Sequence, residues 1–194
     1  MRPITEVAQE LGLDREAVIP YGHYKAKNPQ DGIREGGHKG KMVVVTGITP
    51  TPAGEGKTTI TVGLTQGLGR LGKKVVATLR EPSLGPIFGI KGGGTGGGKS
   101  LVQPQDEVNI HFTGDAHAVG SAHNLLAALT DNAVQRGQIS GLDPSGIIWR
   151  RVTDVEDRAL RTIVTGVGGS ANAPVRETGF DIVTASEIMA ILAL

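Results

Sequence analysis

The sequence predicts an α/β fold in which a parallel sheet is flanked by helices. Two short runs rich in β-branched residues, at 42–45 and 74–79, have the character of buried parallel strands. The segment 57–71 between them has apolar residues at helical spacing, and a helix that crosses between two parallel strands forms a right-handed βαβ unit. A loop at 51–59, which contains two glycines, joins the first strand to that helix. This order of strand, loop and helix favours a P-loop NTPase-like sheet.

The elements before this unit are short and irregular. Residues 4–11 have helical apolar spacing, and Asp14 is a candidate cap for a second short helix that ends near Val18. Residues 20–40 are polar and contain several glycines. We therefore expect 1–40 to form a helical and irregular N-terminal wrap, followed by a P-loop nucleotide-binding domain over 41–194.

The elements after the unit continue the alternation of strands and helices. Residues 108–113 predict a third strand, 116–135 a long helix, and 147–152 a fourth strand. Capping-box patterns predict a helix over 153–163 and a last one over 184–194. The last helix has no C-cap signal, so we expect the domain to be truncated, with a sheet that is incomplete at the C-terminus.

The loop at 51–59 is the main candidate for a phosphate site. Its small residues let backbone N–H groups converge on phosphate oxygens, Lys57 adds a mobile charge, and Thr58 offers a hydroxyl to Mg²⁺. It departs from the usual pattern because Thr51 replaces the first glycine, and the nearest upstream glycine is Gly47. A plain strand-to-helix turn is the alternative. The candidate cofactor-binding residues are Thr51, Pro52, Gly54, Glu55, Gly56, Lys57, Thr58 and Thr59.

Arg80 and Glu81 follow the second predicted strand, at the edge where open α/β sheets bind ligands. A guanidinium at that edge can hold a carboxylate or a phosphoryl group with two hydrogen bonds. Glu81 could balance the charge of Arg80 or help to bind a cation. A surface ion pair between the two residues is the alternative.

Glycine is unusually common in this chain, at 30 of 194 residues, and it is concentrated in the segment 88–100. That composition is typical of a flexible linker. Its place inside a βαβ series favours a functional loop instead, because connections in compact domains are usually short. Lys91 and Lys99 flank the glycines, as expected where backbone approaches an anion.

Asp115 follows the third predicted strand and is the best candidate for a carboxylate linked to a metal ion. A simple helix N-cap is the alternative for this residue. His111, His117 and His123 also lie in this region. None of them forms an i,i+4 pair on a helix with another, so structural histidines are favoured over a metal site.

Composition excludes several classes of function. The formal net charge of +1 gives no broad field for nucleic acid or an anionic membrane, and no apolar run approaches the ~20 residues of a membrane span. The chain has no cysteine, which fits a reducing compartment, and we expect it to be cytoplasmic. Aromatic residues are only 3% of the chain, so few are available to stack on a flat ring.

Several segments together resemble one family, the formate–tetrahydrofolate ligases, also called 10-formyltetrahydrofolate synthetases. They occur in the family's order and cover nearly the whole chain. These segments are Thr-Pro-Ala-Gly-Glu-Gly-Lys-Thr-Thr at 51–59, Arg-Glu-Pro-Ser-Leu-Gly-Pro at 80–86, Lys-Gly-Gly-Gly at 91–94, His-Phe-Thr-Gly-Asp at 111–115 and Arg-Glu-Thr-Gly-Phe-Asp-Ile at 176–182. The segment at 21–27 is similar to the family's N-terminal part.

The resemblance implies an ATP-dependent ligase that phosphorylates formate and passes the formyl group to N10 of tetrahydrofolate. It implies Lys57, Arg80 and Asp115 as catalytic residues, and Thr58, Glu81 and Asp115 as candidate ligands of Mg²⁺ and of a monovalent cation, K⁺ or NH₄⁺. Homo-oligomerisation of the full-length protein is also implied. The family usually has alanines where this chain has Gly94 and Thr95.

Family members run to several hundred residues, and their folate and adenine contacts lie beyond position 194. We therefore expect this chain to be an N-terminal portion of the ligase, with the tetrahydrofolate site mostly outside it. Two alternatives stay open on the sequence alone. One is an inactive nucleotide- or phosphate-binding module, and the other is a different P-loop kinase or synthetase that acts on a small acid.

Overall fold

The computed structural model describes residues 1–28, 40–52, 54–81, 84 and 94–194. The chain divides into two compact units, and each is described by itself. The first unit comprises Met1–Thr51, Glu55–Ala77 and Thr95–Asp106, and the second comprises Pro52–Gly54, Thr78–Gly94 and Glu107–Leu194. The predicted boundary at residue 40 between a wrap and a domain stays a prediction.

The first unit has two helices and two short antiparallel hairpins. Helix α1, Ile4–Glu10, begins after Pro3, and its first N–H donates to the carbonyl of His23 at 2.8 Å. The first hairpin pairs β1, Ile19–Pro20, with β2, Ala26–Lys27. Helix α2 is Lys57–Arg70. The second hairpin pairs β3, Gly96–Gly97, with β4, Ser100–Leu101, and both strands pack against α2.

Glycines allow the two strands of the second hairpin to lie close together beside α2. A Cβ atom at Gly96 would lie 2.1 Å from the carbonyl oxygen of Ser100, and φ is +100° at this position, so only glycine fits. A Cβ atom at Gly63 on α2 would lie 3.4 Å from Oγ of Ser100. Glycine inside a helix costs about 1 kcal/mol relative to alanine. At Gly63 the hairpin lies beside the helix, so that a Cβ atom would be in van der Waals contact with Ser100.

The second unit contains a long helix, a parallel strand pair and an antiparallel strand pair. Helix α3, Gln105–Ile110, crosses the boundary between the units in the sequence, and α4 is Asp115–Gln135. Strand β5, Arg151–Thr153, pairs in parallel with β8, Phe180–Ile182, while β6, Ile163–Thr165, pairs antiparallel with β7, Arg176–Thr178. Helix α5 is Glu187–Leu192. The core consists of Ala116, Val119, Val152 and Val183, with Ile188 and Met189 packed against it.

A buried ion cluster joins α4 to two strands of the second unit. Asp131 on α4 accepts hydrogen bonds from Nε and an Nη of Arg176 at 3.1 and 3.0 Å, and from Arg151 at 2.8 Å. The side chains of Asp131 and Arg176 are only 4% and 3% exposed. Arg176 also donates to the carbonyl of Ile147 at 3.3 Å. The two arginines therefore neutralise a carboxylate that would be costly to bury alone.

The helices follow the sequence more closely than the strands do. The predictions for α1, α2 and α4 are confirmed. A last helix is present as predicted, but the capping box at 184–187 is wrong, because Val183–Ala185 forms a 3₁₀ turn and α5 begins only at Glu187. Its cap is Ser186, whose Oγ accepts from the N–H of Met189 at 3.0 Å. The prediction of a second short helix after Asp14 is wrong. The Asp14 carboxylate instead accepts from the N–H of Glu16 at 3.0 Å, and the chain makes a turn.

The strands predicted at 42–45 and 74–79 are wrong for the described residues. Neither run is hydrogen-bonded to another strand there, and Val43 and Val44 are 66% and 75% exposed. A strand requires a neighbour that pairs its backbone groups, and β-branched composition alone does not supply one. The fold is mixed helix and strand, consistent with α/β, and its parallel pairing is that of β5 with β8.

Two further predictions are corrected in the second unit. Residues 108–113 were expected to form a strand, but α3 covers Gln105–Ile110 and buries Val108 on a polar helix. The predicted helix over 153–163 is a 3₁₀ turn at Arg158–Leu160, capped by Asp157. Thr153 ends strand β5, and its Oγ1 accepts from the N–H of Val155 at 3.3 Å, so it forms a local turn and does not start an α-helix. Of the predicted strand 147–152, only its end lies in β5.

Some predictions fall outside the described residues. They concern 29–39 of the N-terminal segment, Ala53 of the loop, Pro82 and Ser83, and 85–93 of the glycine-rich segment. Among the described residues, no helix is both long enough and apolar enough to span a bilayer.

Candidate active site

The loop before α2 takes its shape from glycines in the left-handed region. Gly54 has φ +80° and Gly56 has φ +73°, a region that favours glycine because it has no Cβ. Gly56 is the N-cap of α2, and its carbonyl accepts from the N–H of Ile60 at 2.9 Å. Helix α2 therefore begins at Lys57, and the positive end of the helix lies beside the loop.

The Glu55 carboxylate folds back over this loop. It accepts a hydrogen bond from the backbone N–H of Thr51 and forms an ion pair with the ammonium of Lys57. The pKa of Glu55 lies below its usual value, first because of the hydrogen bond from Lys57 and then because of the Thr51 N–H. A Cβ atom at Gly47 would lie 3.3 Å from Cγ of Glu55 and 3.6 Å from Nζ of Lys57. The upstream glycine noted in the sequence thus borders this pair.

The other loop residues have separate environments. Thr51, Pro52, Gly54 and Gly56 are exposed, while Thr58 and Thr59 are partly buried in the first turn of α2. The side chain of Thr59 faces the second hairpin, since its Oγ1 lies 3.2 Å from the position of a Cβ atom at Gly97. Thr59 therefore packs α2 against the hairpin, and the role of Thr58 as a ligand of Mg²⁺ stays a prediction.

Glu81 lies at the start of α4 in the second unit. Its Oε2 accepts from the N–H of Ala116 at 3.3 Å, and a Cβ atom at Gly114 would lie 3.0 Å from the same oxygen. Burial raises the pKa of Glu81 above its usual value, and the negative charges of Asp115 and Asp154 raise it further. The charge of Asp115 therefore acts on Glu81, which is partly buried at the start of α4. The cation site at these two residues stays a prediction.

Arg80 and Asp115 line one cavity of about 480 Å³ in the second unit. Arg80 donates from an Nη to the carbonyl of Thr184 at 2.7 Å, which fixes its guanidinium beside the turn before α5. Asp115 is the first residue of α4, and Gly114 is the N-cap, so the alternative that Asp115 is the N-cap is wrong. The remaining lining residues are Thr184, Ala185, Ser186, Met189, Ala190, Leu192 and Ala193.

Of the three histidines considered in the sequence, His123 has a structural environment, whereas His111 and His117 are exposed. The ring of His123 is buried, stacks on Trp149 at a centroid distance of 4.4 Å, and its Nε2 lies 3.0 Å from the carbonyl oxygen of Arg150. His111 and His117 are edge to face at 5.3 Å and line a smaller cavity of about 270 Å³ with Asp154. Within the described ranges no three histidine or acidic side chains are grouped as a metal site.

The structure brings some predicted residues together and divides others between the units. Glu55 and Lys57 are in contact in the first unit, while Arg80, Glu81 and Asp115 share one region of the second. Sequence reasoning missed the cavity wall formed by α5 and the carbonyl of Thr184. The capping-box pattern at 184–187 was the only signal there, and it indicates a helix start without indicating a ligand.

Comparison with known proteins identifies the class to which these elements belong. The family model of formate–tetrahydrofolate ligase matches residues 1–194, so this chain belongs to that family. The chain is 58% identical to the formate–tetrahydrofolate ligase of a Sphingobium species over 196 residues, and 58% identical to that of Methylococcus capsulatus over 198. It is 55% identical to that of Thermotoga petrophila over 196 residues. Each match covers 100% of this chain but only 35 or 36% of the relative, so the chain spans about a third of their length.

Proposed function

We propose that this chain forms the formate-activating part of an ATP-dependent formate–tetrahydrofolate ligase, whose products are 10-formyltetrahydrofolate, ADP and phosphate. The observation that carries the proposal is the cavity shared by Arg80 and Asp115, in a chain whose whole length matches that family. A cationic and an anionic side chain at one cavity suit a small anion that is handled together with a cation.

The chemistry explains why such a site is needed. Formate is a poor electrophile because its carboxylate resists attack and has no good leaving group. A formate oxygen attacks the γ-phosphorus of ATP, the bond to the bridging oxygen breaks, and ADP leaves. N10 of tetrahydrofolate then attacks the carbonyl carbon of formyl phosphate, phosphate leaves, and N10 loses a proton. Both steps develop negative charge on phosphoryl oxygens, which fixed cations stabilise.

The residues have distinct roles in this proposal. Lys57 and the N–H groups at the start of α2 hold the nucleotide phosphates, as in P-loop NTPase-like folds. Arg80 holds the formyl phosphate with its guanidinium fork. The hydrogen bond from Arg80 to the carbonyl of Thr184 at 2.7 Å supports this role, because it orients the guanidinium and leaves other N–H groups for an anion.

The acidic residues and Thr58 fit the cations that the family implies. The pKa of Glu81 is raised by burial and by the charge of Asp115, and a cation beside the two carboxylates would relieve that repulsion. Thr58, partly buried at the start of α2, offers a hydroxyl oxygen of the kind that Mg²⁺ prefers. When bound, Mg²⁺ and K⁺ or NH₄⁺ supply positive charge that offsets the charge of the phosphates.

Formate and tetrahydrofolate are the proposed substrates, and the cytoplasm is the proposed compartment. Assembly of the complete protein as a homo-oligomer stays a prediction. These proposals follow from the family, while the residue roles above rest on the contacts described.

A trap for formyl phosphate tests the proposal. The purified chain is incubated with ATP, Mg²⁺, K⁺, ¹⁸O-labelled formate and hydroxylamine, and formyl hydroxamate and ¹⁸O-labelled phosphate are measured. Both products should form, and Arg80→Ala should lose them. Arg136→Ala is the matched control, because Arg136 is an exposed arginine of the same unit that donates to Asn132. Nucleotide binding without either product would favour an inactive binding module.

A further inference from the structure

A carboxylate of the chain itself accepts hydrogen bonds from the donors of the phosphate loop. Glu55 accepts from the backbone N–H of Thr51 and from the ammonium of Lys57. A loop N–H and a lysine ammonium are the two kinds of donor that such loops present to phosphate oxygens. The backbone N–H of Thr51 can donate well to only one acceptor, so a phosphate that takes it must displace the carboxylate. The ammonium of Lys57 has three N–H groups, but the charge of Glu55 beside it weakens its attraction for a phosphate.

The packing around Glu55 shows that its position is specific. Its side chain is 18% exposed, whereas that of Lys57 is 47% exposed, so the carboxylate is the more enclosed member of the pair. Gly47 permits this, because a side chain there would crowd Cγ of Glu55 at 3.3 Å. The second contact, to the N–H of Thr51, distinguishes this arrangement from an ordinary surface ion pair between neighbours in sequence.

We propose that Glu55 is an internal competitor for phosphate, which must be displaced when a nucleotide phosphate binds the loop. This inference rests on the proposed function of Lys57 and the loop. Displacement costs the carboxylate its two contacts, so Glu55 lowers the affinity of the loop for every phosphate.

Glu55→Gln tests the inference because it keeps the shape of the side chain and removes its charge. Calorimetric titration of pyrophosphate and of Mg-ATP should give roughly two- to fivefold tighter binding to Glu55→Gln than to the wild type, the size expected for loss of one ion pair that water still reaches. Glu16→Gln is the matched control. It removes the same charge from an exposed position of the same unit and should leave the affinity unchanged.

The outcomes separate this inference from the proposed function. If the wild type binds the ligands and Glu55→Gln binds them no more tightly, the inference is overturned, but the proposed role of the loop in phosphate binding is not. Binding by neither protein would overturn the phosphate loop itself, and the inference with it. If the affinity of Glu16→Gln rises as much as that of Glu55→Gln, the effect is due to net charge, and the inference is also overturned.

A second measurement follows the carboxylate directly. Carbon NMR of the Glu55 carboxyl should give a pKa below the usual value in the ligand-free chain. Saturating pyrophosphate should raise that pKa, because the carboxylate loses Lys57 and gains an anionic neighbour. An unchanged pKa in the complex would mean that Glu55 stays paired to Lys57, which contradicts displacement.

Discussion

Replacement of Asp131 by asparagine should destabilise the second unit more than any surface charge change. Asp131 accepts three hydrogen bonds from Arg151 and Arg176, and its side chain is 4% exposed. Asparagine has nearly the same shape but no charge and one acceptor oxygen. The variant therefore leaves Arg176, at 3% exposure, as a buried cation without its counter-ion.

The size of the effect follows from that burial. Loss of one partner of a buried ion pair costs about 3–5 kcal/mol, because the remaining charge stays desolvated. The total stability of a domain is about 5–15 kcal/mol, so this change removes a large part of it. Arg150 and Asp181 provide the comparison, since they form an ion pair at 3.3 Å with 44% and 52% exposed side chains. Asp181→Asn should cost only about 0–1 kcal/mol.

Urea unfolding followed by circular dichroism measures both variants. A double-mutant cycle with Arg176→Met should give a smaller loss for the pair of changes than the sum of the single losses, since the second change removes the buried cation. A loss below about 1 kcal/mol for Asp131→Asn, or one equal to that of Asp181→Asn, would refute the reasoning from burial.

The remaining predictions concern the site. Lys57→Ala should weaken Mg-ATP binding by about tenfold or more in calorimetry, and equal affinities would remove Lys57 from the phosphate site. In the full-length enzyme, Arg80→Ala should lower formate-dependent turnover by about 10²-fold, and unchanged turnover would transfer its role elsewhere. Because the pKa of Glu55 is lowered in the folded chain, its contribution to stability is present above its usual value of 4.5 and is lost as pH falls through the folded pKa. Urea unfolding between pH 3 and 7 should therefore show the wild type losing an advantage over Glu55→Gln below pH 4.5, and a constant difference would contradict the pairing with Lys57.

Local signals in the sequence predicted helices α1, α2 and α4 and the loop before α2. Apolar spacing predicts α2 and α4, and the small residues of the loop before Lys57 include two glycines, Gly54 and Gly56, that the structure places in the left-handed region. These features depend on residues within a few positions of one another, where propensity and capping decide the conformation. The same applies to Ser186, whose contact with Met189 spans one helical turn.

The predictions of strands at 42–45 and 74–79 are wrong because strand pairing depends on distant residues. The runs at 42–45 and 74–79 have the composition of parallel strands, but pairing depends on a neighbour that the local sequence does not specify. Residues 151–153 do form a strand, because β8 pairs with them residue by residue. At 108–113 the apolar residues are too few to distinguish a strand from the short helix α3, and periodicity does not decide between them.

The site shows the same division between local and distant contacts. The sequence places Arg80 and Glu81 side by side, yet their partners lie far along the chain, at Thr184 for Arg80 and at Ala116 for Glu81. No local motif predicts these distant contacts with a carbonyl or an N–H group, because nearly every residue along the chain has both groups. The motif therefore identifies the candidate side chains, and tertiary contacts decide what each one can do.

Those contacts shift the pKa values of two acidic residues, Glu55 and Glu81, in opposite directions. Glu55 is stabilised as a carboxylate by Lys57 and Thr51, whereas burial and the charges of Asp115 and Asp154 favour the neutral form of Glu81. A ligand phosphate would compete with the first residue, and a bound cation would stabilise the charge of the second. A bound phosphate and a bound cation should therefore act on different carboxylates. Glu55→Gln should change the affinity for phosphate, and Glu81→Gln should change the dependence of activity on the cation.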